Sequence, residues 1–284
     1  MMNRREAVAL LAVGAVGATA NRQPSTTDRW YPIGLGTWQT FDVATPAPAL
    51  EQVLSLFVQL GGSVVDSSPM YGRSESVLGD LAVKTGVRDK LYVATKVWTT
   101  GRAAGIAQME DSERKLRGKV DLMQVHNLQD AATHLETLRR WKAEGRIRHI
   151  GVTHYHAGAH DDVAESIRRG GIDFIQINYS LAERDAERRL LPLARERGVK
   201  VLINRPFGAG SLFRETRGKP VPAFAKELGA TSWAELFLKF VISHPAVTVA
   251  IPATSKTEHL RQNMNAGRGP MPDAAMRKRI AEAV

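Results

Sequence analysis

The sequence predicts a closed (β/α)8 barrel over residues 30–284, and three observations support that fold class. Short apolar segments alternate with amphipathic helical segments eight times, which is typical of a parallel sheet covered by helices. Eight such units in about 250 residues are typical of a closed barrel. The first apolar segment, "IGLGTW", lacks the Gly-x-Gly-x-x-Gly turn with which an open doubly wound sheet, the alternative fold, binds dinucleotides. No proline- or glycine-rich linker divides this region, so we expect one domain.

The elements follow one another regularly along the chain. We expect strands at residues 33–38, 63–67, 91–97, 120–126, 147–153, 174–180, 200–208 and 247–254. We expect the main helices at residues 51–61, 74–84, 105–116, 131–145, 159–169, 186–198, 232–243 and 256–266. The strands are rich in valine, isoleucine and leucine, as strands that are buried on both faces usually are.

Four ionisable side chains occur at the ends of successive strands. Asp66 ends the second strand and Tyr71 lies in the loop after it, while Lys96 and His126 end the third and fourth strands. Catalytic residues of such barrels lie at the carboxyl ends of the strands, so these side chains should meet at one mouth. Each residue alone has an ordinary structural interpretation, but four at successive strand ends favour a catalytic site.

The chemistry of these four groups is mutually consistent. A free tyrosine has a pKa of about 10, and a nearby ammonium lowers that value. We expect Lys96 to act on Tyr71 in this way, and Asp66 to pair with Lys96, because a buried carboxylate needs a partner. We expect His126 to donate a hydrogen bond to a carbonyl oxygen. Such groups suit protonation of an oxygen while a hydride reaches its carbon.

The chain resembles the aldo-keto reductase family from Ile33 to about Ala266. The resemblance is carried by Asp66 with the "SSPMYGRSESVLG" that follows it, and then by "LYVATKV", "DLMQVHNL", "IRHIGVT", "FIQINYSL" and "IPATSKTEHLRQN", in that order. It implies a (β/α)8 barrel that transfers hydride from NADPH or NADH to an aldehyde or ketone without a metal ion. It also implies that Tyr71 is the general acid, that His126 orients the carbonyl, and that Lys96 and Asp66 tune Tyr71.

The same resemblance implies a nicotinamide site at the ends of the fifth, sixth and seventh strands. Gln176 would bond the carboxamide, together with Thr153 and His154, which stand where the family usually has Ser-Asn. Asn204 occupies the place where many members stack a tyrosine on the nicotinamide, which weakens that contact. Arg205 stands where a smaller residue is common and adds a candidate phosphate contact.

The remaining cofactor residues are expected in the loop after the seventh strand and in the last strand-helix unit. Backbone N–H groups of the loop would hold the pyrophosphate; its candidate residues are Phe207, Gly208, Ala209 and Gly210. Thr254 and Lys256 would contact the adenosine phosphate, with His259 where the family often has an arginine. Gln262 and Asn263 match the adenine contacts. A cation and a hydroxyl favour NADPH, with NADH left open.

A histidine-rich segment, "THYHAGAHDD", suggests a second interpretation. It holds His154, His156 and His160, followed by Asp161 and Asp162. A His-x-His pair at a strand end can bind zinc, as in a metal-dependent hydrolase. No other strand end supplies a complementary set of histidine ligands, so we expect a polar loop at the start of a helix and no metal.

Two of the five tryptophans are candidate pocket residues. Trp38 ends the first strand and Trp98 lies two residues after Lys96. Either residue could line an apolar substrate pocket or pack at the barrel rim.

Composition excludes several other classes. The chain has no cysteine, hence no disulfide and no thiolate metal site. Its formal net charge is +10, but the arginines are spread along surface-like helices such as "LRRWKAEGRIR". No dense basic block alternates with aromatic residues, so nucleic-acid binding is not expected. The sequence does not indicate an oligomeric state.

The first 20 residues have the layout of a secretory signal. They combine a basic start, an apolar stretch and a small-residue "ATA" cleavage site, and Arg4–Arg5 predicts twin-arginine export. Residues 21–29 would be a linker. The protein would then be periplasmic or otherwise exported; a cytoplasmic protein with an uncleaved leader is the alternative. The apolar stretch is too short for a membrane span.

Two functions therefore follow from the sequence. The first is an NADPH-preferring reductase of small aldehydes or ketones. The second is a cofactor-binding regulatory or redox-sensing subunit with little turnover, which an exported protein carrying its own cofactor would suit.

Overall fold

The computed structural model describes residues 30–45 and 48–284. In this part of the chain, eight parallel strands, β1 to β8, pair in chain order. They are Leu35–Gly36, Val64–Asp66, Tyr92–Val97, Leu122–His126, His149–Thr153, Phe174–Asn178, Lys200–Asn204 and Val249–Ala250. The expected signal (1–20) and linker (21–29) lie outside the described residues.

The sheet closes on itself through β1 and β8. Ile33 bridges Ala250 and Gly36 bridges Ala253, both in the parallel sense. The Gly34 N–H also donates to the carbonyl of Ala250 at 2.8 Å. The predicted (β/α)8 barrel is therefore confirmed, since every strand has a neighbour on both sides.

Helices follow each strand and cover the outside of the barrel. The ten helices of the described residues, α1 to α10, are Pro48–Gln59, Ser74–Lys84, Arg102–Lys115, Ala131–Ala143, His160–Arg169, Leu190–Glu196, Ser211–Glu215, Trp233–Ile242, Thr257–Asn265 and Ala274–Glu282. No helix in the described ranges is long and apolar enough to cross a membrane.

Three predicted helices have boundaries in the structure that differ by three residues or more. α1 begins at Pro48 and α3 begins at Arg102, each three residues before its expected start. The helix expected at 186–198 divides into a 3-10 turn, Asp185–Glu187, and the short α6. Pro192 lies in the first turn of α6, where its missing N–H costs no helical hydrogen bond.

Two apolar cores hold the barrel together. The larger lies between the strands and the helices. The smaller consists of inward-facing residues that fill the barrel: Val64, Tyr92, Ala94, Leu122, Phe174, Leu202, Val249 and Ile251. This packed interior leaves no channel through the barrel, so the chemistry is confined to the ends of the strands.

Trp30 seals the amino end of the barrel. Its ring lies 5.0 Å from that of Tyr92 and 5.6 Å from that of Phe174, measured between centroids. The ammonium of Lys200 lies 4.7 Å from the Trp30 ring. All three partners are the first inward-facing residues of their strands, so Trp30 covers the face opposite the carboxyl ends of the strands.

The C-terminal helix is attached to the barrel by the Arg277 cluster, which comprises Arg277, Tyr179, Glu187 and Phe240. The guanidinium of Arg277 donates to the Tyr179 hydroxyl and to the Glu187 carboxylate, each at 2.7 Å. It also lies 4.0 Å from the centre of the Phe240 ring. The cluster thus joins α10 to the loop after β6 and to α8.

We expect Arg277→Met to lower the free energy of unfolding by about 2 kcal/mol, because it removes charge-assisted hydrogen bonds to the buried Tyr179 hydroxyl and to the partly buried Glu187, while Arg184 still pairs with Glu187 at 2.7 Å. Urea unfolding of the purified protein measures this. Lys278→Met is the matched control, since Lys278 pairs with Glu282 at 3.7 Å on the exposed side of the same helix. Equal midpoints for Arg277→Met and the unmodified protein would show that the cluster contributes nothing.

Candidate active site

A buried ion pair occupies the centre of the barrel mouth. The Lys96 Nζ lies 2.7 Å from Asp66 Oδ2 and donates to the backbone carbonyl of Ser67 at 2.6 Å. The side chains of Lys96 and Asp66 are 0% and 3% exposed. The predicted pairing of Asp66 with Lys96 is present, and the carboxylate at the end of β2 has the partner that its burial requires.

Two glutamine amides complete the surroundings of Asp66. Gln176 Nε2 donates to Asp66 Oδ1 at 2.7 Å and Gln124 Nε2 lies 3.3 Å from the same oxygen. Gln176 Oε1 in turn accepts from the Thr153 hydroxyl at 3.4 Å. Sequence analysis did not identify Gln124, although it lies two residues before His126 on β4 and so shares its face.

Tyr71 lies beside Lys96 and His126, as predicted. The Lys96 Nζ is 5.0 Å from the centre of the Tyr71 ring, and the rings of Tyr71 and His126 meet edge to face at 5.9 Å. Burial raises the pKa of Tyr71, Lys96 lowers it and Asp66 raises it, with a net increase above 10. The expectation of a lowered pKa is wrong for the protein alone, because desolvation outweighs the ammonium. Tyr71 is a protonated phenol at neutral pH.

Lys96 is positively charged despite its complete burial. Burial alone lowers the pKa of its ammonium, but the Asp66 carboxylate and Tyr71 raise it, and the net direction is upward. The cation is therefore present at neutral pH, and it contributes a positive charge next to the phenol.

His126 is a neutral imidazole in this site. Burial, then the Lys96 ammonium and then His154 lower its pKa to about 3. Its Nδ1 lies 3.0 Å from the hydroxyl of Ser68, a residue that sequence analysis did not single out. A neutral ring carries one N–H, so His126 can donate a hydrogen bond from only one nitrogen.

The residues expected at the nicotinamide end are grouped around the ends of β5 to β7. Asn204 Nδ2 donates to the His154 carbonyl at 3.2 Å, while Asn204 Oδ1 is buried without a hydrogen-bond partner in the described chain. Gln176 is held by Asp66, so its amide is oriented before any ligand binds.

Arg205 donates to the Tyr155 carbonyl at 3.0 Å. The structure thus joins Arg205 to the loop after β5, and its contact with a phosphate stays a prediction.

The loop after β7 differs from its predicted form. Gly208, Ala209 and Gly210 all have positive φ, between 51° and 86°. The Gly208 and Gly210 N–H groups donate to the carbonyls of Arg205 and Phe207 at 2.9 and 3.0 Å. Those two N–H groups therefore close the turn in this conformation, and the contact of the loop with a pyrophosphate stays a prediction.

A cleft of about 260 Å³ lies between this loop and α9. Four residues expected to contact the adenosine half of the cofactor line it, Thr254, His259, Gln262 and Asn263, together with Phe207 of the expected pyrophosphate loop. Phe213 and Ala234, which sequence analysis missed, line it as well. Lys256 is exposed at the start of α9, with its N–H 3.1 Å from the Thr254 hydroxyl. Residues distant in sequence thus form one concave site.

The histidine-rich segment does not assemble a metal centre within the described residues. No group of three or more histidine, aspartate, glutamate or cysteine side chains there is placed to hold a metal ion. His156 precedes α5, which begins at His160, and His160 Nε2 lies 3.0 Å from Asn178 Oδ1. The rings of His154 and His156 pack edge to face, 4.3 Å apart.

The two tryptophans proposed for the substrate pocket are half-exposed after β1 and β3. Trp38 is 50% exposed and Trp98 is 40% exposed. The Trp98 ring lies 6.3 Å from that of His126, which places it beside the catalytic candidates. Trp38 makes no hydrogen bond or ring contact with those candidates in the described structure, so its role stays a prediction.

Comparison with known proteins shows the family to which this protein belongs. The model of the Aldo/keto reductase family matches residues 32–283, and the protein belongs to that family. Methylglyoxal reductase YeaE of Escherichia coli (strain K12) is 27% identical over 241 residues, which cover 81% of this chain and 83% of the relative. Probable aldo-keto reductase 1 of Glycine max is 25% identical over 249 residues, covering 72% and 71%.

A solved structure of an aldo/keto reductase resembles this protein as well. An aldo/keto reductase from Klebsiella pneumoniae, in complexes with NADP and acetate and with NADPH, superimposes with a TM-score of 0.75 at 27% identity. The alignment covers 89% of this chain and 93% of that one.

We expect His126 to stay neutral well into the acid range, because burial and Lys96 oppose its protonation. A solvent-exposed histidine titrates near pH 6.5. In an NMR titration from pH 8 to 4.5, the ring signals assigned with a His126→Gln variant should not shift. A titration midpoint above pH 6 would contradict the burial and charge described for this ring.

The lowered pKa of His126 also makes the free energy of unfolding depend on pH. Between about pH 6.5 and 3 the unfolded chain binds a proton at His126 that the folded protein does not. The free energy of unfolding should therefore fall as the pH falls through this range, and His126→Gln should reduce that slope. Urea unfolding at several pH values measures it. Identical slopes for the two proteins would show that His126 is not the group responsible.

Proposed function

We propose that this protein is an NADPH-dependent reductase that converts small aldehydes or ketones to alcohols. The observation that carries the proposal is the arrangement of Tyr71 and His126 around the buried Asp66–Lys96 pair at the barrel mouth. Membership of the aldo-keto reductase family supports the reaction class. The NADP and NADPH complexes of the Klebsiella relative support the cofactor.

The proton is supplied by Tyr71 in this proposal. A substrate carbonyl oxygen within reach of the phenol would receive the Tyr71 proton, while a bound nicotinamide would supply the hydride to the carbonyl carbon, so that the carbonyl becomes an alcohol. The Tyr71 phenol holds its proton at neutral pH, because burial raises its pKa. As negative charge develops on the carbonyl oxygen and then on the phenolate, the adjacent Lys96 ammonium stabilises it.

His126 orients the substrate in this proposal. Its neutral ring can donate one hydrogen bond to the carbonyl oxygen without competing with Tyr71 as an acid, because its pKa of about 3 keeps it uncharged. Trp98, beside the same ring, would give the carbonyl carbon an apolar neighbour and limit the access of water.

The residues present fit a dinucleotide, which would supply the hydride. Gln176 and Thr153 offer a pre-oriented amide and hydroxyl at the inner end, and the buried Asn204 Oδ1 is an acceptor left without a partner in the described chain. The cleft beside α9 offers aromatic and amide side chains at the outer end. Lys256 and Thr254 would hold the 2′-phosphate that distinguishes NADPH from NADH.

We further propose, from residues 1–20 alone, that the protein is exported by the twin-arginine route. This route carries folded proteins, which would allow the cofactor to cross already bound. N-terminal analysis of protein recovered from cell fractions tests it; an intact leader on cytoplasmic protein would contradict it.

We expect Tyr71→Phe to lower kcat for reduction of a small aldehyde at least about 100-fold, the usual worth of general acid catalysis. The assay follows NADPH absorbance. Tyr31→Phe, which removes a phenol hydroxyl bonded to the Met264 carbonyl outside the mouth, is the matched control and should keep its turnover.

NADPH fluorescence on the same samples separates a loss of catalysis from a loss of cofactor binding. Tyr71→Phe should bind NADPH as tightly as the unmodified protein, because the phenol acts on the substrate. Nearly full activity of the variant would remove Tyr71 from the mechanism. NADPH binding by the unmodified protein without turnover of any aldehyde or ketone would instead favour the regulatory subunit.

We expect Lys256→Ala to raise the Kd for NADPH about tenfold, because it removes a charge-assisted contact to the 2′-phosphate. The Kd for NADH, which lacks that phosphate, should change less than about twofold, and it serves as the internal control. Fluorescence titration at fixed ionic strength measures both. Equal losses for the two cofactors would show that Lys256 acts through the fold of α9 and not on the phosphate.

A further inference from the structure

Ser68 is a buried hydroxyl that directly contacts a catalytic candidate. It lies two residues after Asp66 at the end of β2 and is fully buried. Its Oγ is 3.0 Å from His126 Nδ1. The contact joins the loop that carries Tyr71 to the end of β4, so it fixes both the position and the rotation of the His126 ring.

The direction of this hydrogen bond follows from the other partner of Ser68. The Met70 N–H donates to Ser68 Oγ at 3.4 Å, so the hydroxyl oxygen already accepts one hydrogen bond. Within residues 30–45 and 48–284, His126 Nδ1 is the acceptor that the hydroxyl hydrogen reaches. If Nδ1 carried the proton instead, that buried hydroxyl hydrogen would be left without an acceptor, at the cost of its desolvation.

The tautomer of His126 decides what the ring can do. A neutral imidazole has one donor and one acceptor nitrogen, and the partner of one nitrogen sets the state of the other. With Nδ1 accepting from Ser68, the proton lies on Nε2. The nitrogen left for a substrate oxygen is then a donor, as the proposed reaction requires.

We propose that Ser68 is a positioning residue that holds His126 as the Nε2–H tautomer, so that the ring donates to the substrate carbonyl oxygen. The consequence for turnover rests on the reductase function proposed above. The tautomer itself does not, and it can be measured without substrate.

The first experiment is nitrogen-15 NMR of the protein labelled at histidine, with His126→Gln used to assign the ring signals. In the unmodified protein we expect a protonated Nε2 and a hydrogen-bonded, unprotonated Nδ1. In Ser68→Ala, which removes only the hydroxyl, we expect both nitrogen signals to move toward those of exchanging tautomers.

The second experiment is kinetic. We expect Ser68→Ala to lower kcat about two- to tenfold, the worth of one neutral hydrogen bond, with KM for the aldehyde changed less than about twofold. Ser112→Ala is the matched control, because Ser112 is equally buried but donates to Glu75 at 3.1 Å, on the outer side of the barrel. It should leave both kcat and the His126 signals unchanged.

The outcomes distinguish this proposal from the proposed function. A protonated Nδ1 in the unmodified protein, or identical His126 signals with and without the Ser68 hydroxyl, overturns the role of Ser68. An Nε2–H ring that depends on Ser68, in a protein that reduces no aldehyde or ketone, supports the tautomer and refutes the reductase function. An equal loss of kcat in Ser68→Ala and Ser112→Ala would show a general effect of losing a buried hydroxyl. That outcome would contradict the proposal.

Discussion

The buried Asp66–Lys96 ion pair is the constraint on which the mouth of the barrel depends. Two charges without access to water are costly unless their remaining hydrogen-bonding groups are satisfied. Here Lys96 has a second acceptor in the Ser67 carbonyl, and Asp66 has amide donors on two further strands. Four strands thus contribute to one polar layer directly above an apolar barrel interior. The pair also fixes where a single positive charge lies relative to Tyr71.

Burial acts in opposite senses on the two groups that would contact a substrate. It raises the pKa of Tyr71, because the phenolate is the charged form, and lowers the pKa of His126, because the imidazolium is. Both groups are therefore neutral donors at physiological pH. The neighbouring Lys96 ammonium lowers the pKa of both groups, so it favours proton release from Tyr71 and keeps His126 uncharged.

The sequence predicts the barrel and the polar layer because both depend on local pattern. Period-two alternation on β2, β3 and β4 places Asp66, Lys96 and His126 on inward-facing positions at strand ends. It does not predict the sign of the Tyr71 pKa shift, which depends on how much water the folded site excludes. It also does not predict the closed turn at Gly208 and Gly210 or the Ser68 contact, since these depend on loop geometry and on side chains from separate strands.

Trp30 has a practical consequence for handling the protein. Because its ring covers the amino end of the barrel, the described chain starts on the face opposite the one where Tyr71, His126 and Trp98 are gathered. A surface linkage or fusion partner joined ahead of Trp30 would therefore leave the open mouth turned toward solution. Immobilisation through that end should allow a carbonyl compound to diffuse in from the free side.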